Sequence, residues 1–112
     1  MESSMLTKQD ISRIADLLDK HGYNYWAQYF RDILHLDLDS MEFIKKANDG
    51  SVWTGMGSLI DVALYESPYR ESIRRRDQDE FFMLLGKLAR HLINFDCVNL
   101  DVIKIRIEDH DW

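Results

Sequence analysis

Apolar residues recur three and four positions apart in four separate stretches of this chain, and that spacing admits amphipathic helices and little else. The clearest stretch carries Phe81, Leu84, Leu85, Leu88 and Leu92 on one stripe, with Asp77 and Glu80 three residues apart at its expected start. A first helix is expected from Thr7, which with Asp10 has the spacing of a capping pair. Ile11, Ile14, Leu17 and Leu18 line its buried face, and Gly22 supplies a stop. A second should run from near Asn24 to about Leu36, with Trp26, Phe30, Ile33 and Leu34 on one side. A third, shorter helix follows a cap at Asp39 or Ser40. It carries Met41, Phe43, Ile44 and Ala47 and ends at the Asn48-Asp49-Gly50 turn signal.

Two segments depart from this period. Ile103, Ile105 and Ile107 alternate with Lys104 and Arg106, the signature of a half-buried strand, and Ile60, Val62 and Leu64 alternate with Asp61 and Ala63. A lone strand does not persist, so the two runs predict one small strand pair, about 58–65 with 102–108, with a short helix over 58–65 as the alternative. The sole proline, Pro68, breaks the chain before the arginine-rich run holding Arg70, Arg74, Arg75 and Arg76. That run reads as a solvated connector whose arginines pair with Glu66, Glu71 and Asp77. The expected fold is mainly α: a helical bundle of four to five helices in one globular domain spanning 1–112. A length of 112 residues, 46% apolar and 30% charged, is enough for one core and too little for two.

Charge narrows the partners. Fourteen Lys and Arg stand against twenty Asp and Glu, a net of −6 that divides evenly between the two halves of the sequence. Such a balance disfavours nucleic acid, whose binding depends on neutralising phosphates, and favours a basic partner. No stretch of about 18 apolar residues is present and the first residues lack the pattern of a secretory signal, so no membrane association is expected and the cytoplasm is the expected location. Cys97 is the only cysteine, and His21, His35, His91 and His110 are scattered, so neither a disulfide nor a zinc site is expected. The run DLDSMEF starts like a calcium loop, but Met41 takes a ligand position and no glycine follows. No cofactor and no catalytic constellation is expected, and the chain reads as a non-enzyme.

The glycines of Gly55-Met56-Gly57-Ser58 raise the question of a phosphate cradle. They lack the following Gly-Lys-Ser or Gly-Lys-Thr of a phosphate loop and do not make the Gly-x-Gly-x-x-Gly of a dinucleotide fold, so a sharp bend is the better reading. The longer run, Trp53, Gly55, Met56, Gly57, Ser58, Leu59 and Asp61, resembles a W-x-G-M-G-S-[LF]-x-D signature found in small bacterial proteins. Members occur among the immunity proteins that protect bacteria from toxins delivered between neighbouring cells, including contact-dependent growth inhibition systems. Ile60 stands where that signature usually has a polar residue. The resemblance implies a protein that neutralises the C-terminal domain of a cognate toxin.

A basic nuclease is the toxin class that an acidic immunity protein would suit, because carboxylates can occupy the place of RNA phosphates and opposite potentials speed the encounter. Two acidic groups are candidate contacts: Asp37, Asp39 and Glu42 around the third helix, and Glu108, Asp109 and Asp111 at the end of the sequence. Tyr25 and Tyr29 are candidate aromatic anchors, with core-edge packing as the other reading. The alternative function is a small-ligand or nucleotide-binding regulatory module built on the Gly55–Ser58 turn and the nearby arginines.

Overall fold

In a computed structural model of the chain, the described residues are 5–48 and 69–93. They form four helices, in chain order α1 (Lys8–Lys20), α2 (Asn24–Asp32), α3 (Met41–Ala47) and α4 (Glu71–Ile93). Helix accounts for 75% of the described residues, and no strand occurs among them. The mainly helical expectation therefore holds. The strand pair expected at 58–65 and 102–108 lies outside the described residues.

α1 begins and ends as its sequence dictates. Thr7 accepts a hydrogen bond from the Asp10 amide at 3.2 Å, and Asp10 accepts one from the Thr7 amide at 2.9 Å, which closes a capping box. At the other end Gly22 takes φ +91°, a left-handed conformation that glycine adopts without strain. The Gly22 amide then reaches the Asp19 carbonyl at 3.1 Å and the Tyr23 amide reaches Leu18 at 2.8 Å, the two bonds of a Schellman ending. This turn folds α2 back along α1, the most extensive helix packing among the described residues.

The core lies where the four apolar stripes meet. Ile11, Ile14, Leu17 and Leu18 of α1 face Ala27 and Phe30 of α2, Phe43 and Ile44 of α3, and Phe81, Leu85 and Leu88 of α4; all are buried. Each large side chain so enclosed contributes about 1.5–3 kcal/mol relative to exposure. No described helix is long and apolar enough to cross a membrane.

Two helix boundaries and one side chain differ from expectation. α2 stops at Asp32 instead of Leu36: the Leu34 and Leu36 amides bond to Arg31 and Ile33, three residues back, and the chain unwinds. From there Leu36 and Leu38, partly buried, alternate with exposed His35, Asp37 and Asp39, a period of two that no continuing helix can satisfy. Met41 opens α3 but points to solvent, 65% exposed, because Phe43, Ile44 and Ala47 alone fill its inner face. α4 starts at Glu71, six residues before Asp77, so Arg74, Arg75 and Arg76 lie on helix and not on a connector. Two of the expected arginine pairs do form: Arg75 meets Glu71 at 2.6 Å across one helical turn, and Arg76 stands 3.7 Å from Asp77. Glu66 lies outside the described residues.

Candidate functional site

The acidic turn between α2 and α3 has a defined build. Asp37 supplies the local scaffold: its Oδ1 accepts from the Asp39 amide at 3.2 Å, and its carbonyl accepts from the Ser40 amide at 2.9 Å and the Ser40 hydroxyl at 2.7 Å. Ser40, not Asp39, is the N-cap of α3, its Oγ accepting from the Phe43 amide at 3.1 Å. Asp37, Asp39 and Glu42 are all exposed, so the turn and the first helical residues hold three carboxylates toward water. Glu42 in the first turn of α3 and Lys45 and Lys46 in its last turn both complement the helix dipole.

The two tyrosines part company. Tyr25 is 73% exposed, its ring edge-on to Trp26 at 5.3 Å. Tyr29, one turn later, is half-buried, packs edge-on to Trp26 and Phe30, and donates its hydroxyl to the Lys46 carbonyl, which ties α2 to the end of α3. The structure thus gathers Asp37, Asp39 and Glu42 on one turn and joins that region to α2 through Tyr29. Glu108, Asp109 and Asp111 lie outside the described residues, as do Trp53, Gly55, Met56, Gly57, Ser58 and Asp61.

A second polar cluster was not legible as a site in the sequence. Asp77, expected as a helix cap, sits inside α4 with its side chain 2% exposed. Its Oδ2 is 2.8 Å from Nε2 of the buried His21 and 2.8 Å from Lys20 Nζ. Burial pushes the Asp77 carboxyl up, but the bonds from Lys20 and His21 and the attraction of these neighbours together outweigh it and hold the group below its ordinary value. An ionised carboxylate only accepts, so His21 Nε2 is the donor in this bond. Tyr69 covers the cluster, edge-on to His21 at 5.2 Å and beneath Lys20 Nζ at 5.2 Å. Beside it Arg13 grips Glu80 with two bonds of 2.7 and 2.8 Å, and these hydrogen bonds draw the Glu80 carboxyl below its ordinary value. The spacing of Lys20 and His21 at the end of one helix and Asp77 within another carries no local pattern that would have paired them.

The described residues hold twelve Lys and Arg and eleven Asp and Glu; the remaining residues hold two and nine. The net negative charge of the sequence is therefore carried by the remaining residues, and among the described ones Asp37, Asp39 and Glu42 form a local acidic run. Among the described residues no three His, Cys, Asp or Glu side chains converge as metal ligands would. Compared with known proteins, the chain matches no family model, no curated protein and no solved structure.

Proposed function

We propose that the chain is an immunity protein, not an enzyme, that binds a cognate toxin domain, a basic nuclease, and covers its active or substrate-binding surface. The observation that carries this reading is the capped turn at 37–42, which presents Asp37, Asp39 and Glu42 to solvent on a hydrogen-bonded frame. Carboxylates fixed in that way meet a cationic groove with little loss of side-chain and backbone freedom, and their charge accelerates association. The exposed Tyr25 adds an aromatic surface of the kind that anchors protein interfaces. The resemblance of the Trp53–Asp61 run to immunity proteins supports the same class, and the bacterial cytoplasm is the compartment in which such a protein would meet its toxin.

Co-expression tests the proposal. The chain should rescue growth of cells producing the toxin encoded beside it and should copurify with that toxin. A variant joining Asp37→Asn, which keeps the turn's acceptor oxygen, to Asp39→Lys and Glu42→Lys should associate at least tenfold more slowly at low salt. Absence of both rescue and copurification sinks the reading.

One observation favours the alternative of a small-ligand or nucleotide-binding module. Arg74 Nε is buried without a hydrogen-bond partner among the described residues, one turn after the exposed Arg70. An anion that engaged it would raise the melting temperature, by the equivalent of about 2.7 kcal/mol at a hundred times its Kd. A screen of nucleotides and inorganic phosphate that leaves the melting curve unmoved removes this second reading.

A further inference from the structure

We infer that His91 is a positioning residue, the tie that sets the acidic turn against α4. Among the described residues the other hydrogen bonds of the turn are local: the Asp39 and Ser40 amides and the Ser40 hydroxyl reach back to Asp37, and the Phe43 and Ile44 amides reach back to Ser40. The Leu38 carbonyl is different, for it lies 2.9 Å from His91 Nε2, fifty-three residues away in sequence. A carbonyl only accepts, so Nε2 bears the hydrogen and His91 is the donor. The same Nε2 stands 3.7 Å from Asp39 Oδ1, which places the positive edge of the ring beside an exposed carboxylate. The ring is itself fixed, with its side chain 14% exposed and edge-on to Phe43 at 6.2 Å.

One side chain on the last turn of α4 therefore meets three successive parts of the crossover: the Leu38 backbone, the Asp39 carboxylate and the first turn of α3 through Phe43. α3 has seven residues, too few to hold its shape by helix formation alone, so such external ties decide where it sits. The consequence for partner binding rests on the immunity reading above; the positioning role does not.

Amide hydrogen exchange on the full chain separates the two. In His91→Leu, which keeps apolar bulk against Phe43 but removes the donor, the Ser40, Phe43 and Ile44 amides should exchange about five- to tenfold faster while Ile14, Leu17 and Leu18 are unchanged. In His91→Gln, whose side-chain N–H can reach the Leu38 carbonyl, protection of the turn should largely return. Unchanged exchange at 40–44, or a uniform rise across α1 and α3, overturns the inference. Against the toxin, His91→Leu should weaken binding several-fold and His91→Gln should not. If the toxin fails to bind the native chain, the immunity reading falls while the exchange pattern still decides the role of His91.

Discussion

α4 is joined to the N-terminal half of the chain by a histidine near each end, and the two joints differ in kind. At residue 77 the helix offers a carboxylate, 2% exposed, to a fully buried His21 and to Lys20. At residue 91, about 21 Å further along the axis by helical rise, it offers a ring N–H to a backbone carbonyl at the edge of solvent. The first joint encloses charge and is intolerant of losing either member, because an uncompensated buried group costs more than the pair returns. The second is a single hydrogen bond to a backbone carbonyl with a net value of about 1 kcal/mol, enough to orient a turn and too little to hold a fold. A small helical body can in this way divide one helix between a structural end and an end that presents a surface.

The sharpest way to break this contrast is to empty the buried joint. Asp77→Ala leaves His21 and Lys20 facing a void and should destabilise the protein by about 3–5 kcal/mol, read as a large fall in the denaturant midpoint at unchanged slope. A loss near 1 kcal/mol, no greater than that of His91→Leu, would make the two joints equivalent. Acid should act on the same end. Asp77 and Glu80 both have folded values held below the ordinary carboxylate range. Their contribution is complete above the unfolded value of about 4 and is lost as pH falls through the lower folded values. Asp77→Asn should therefore flatten the decline in stability below pH 4, and Glu80→Gln, at a more exposed pair, should flatten it less.

How much of this contrast the sequence announces follows from the range of each interaction. The capping box at Thr7 and Asp10, the stop at Gly22 and the stripe from Phe81 to Leu92 are local patterns, and each appears in place. Asp77 misleads because its spacing to Glu80 imitates a capping box, whereas a tertiary partner, His21, claims it fifty-six residues away. The early start of α4 was hidden by charge: four arginines within seven residues look like solvated coil, yet arginine is a good helix former and Glu71 and Arg75 lie one turn apart. The end of α2 had a usable signal in the alternation of His35 to Asp39, overridden by the leucines that also fit a helical face. The carboxylates of the turn were legible as residues, but the frame that holds them, Asp37 to Asp39 and His91 to Leu38, depends on folding.

A smaller effect tests whether the corner beside the buried joint is set by backbone geometry or by packing. A Cβ at Gly22 would meet nothing within 4 Å, so Gly22→Ala changes only the cost of φ +91°. The expected loss is about 1–2 kcal/mol by thermal melting, well below that of Asp77→Ala. A larger loss would mean that the corner tolerates no adjustment and that His21 depends on it for its reach to Asp77.

The smallest expected change in stability comes from reversing charge at the presenting end. Asp39 and Glu42 are exposed and neither is the cap of α3, so Asp39→Lys with Glu42→Lys loses only the dipole complement of Glu42 and the contact of Asp39 with His91, and should cost no more than about 1 kcal/mol. Asp37 is not equivalent, because its Oδ1 holds the Asp39 amide; Asp37→Lys should cost about 1 kcal/mol more, and Asp37→Asn close to nothing. The unfolding curves of these variants, set beside that of Asp77→Ala, decide whether charge is interchangeable at one end of α4 and fixed at the other. If the double reversal at Asp39 and Glu42 unfolds the protein as readily as Asp77→Ala does, the turn is part of the load-carrying core and the division of α4 into two kinds of end is wrong.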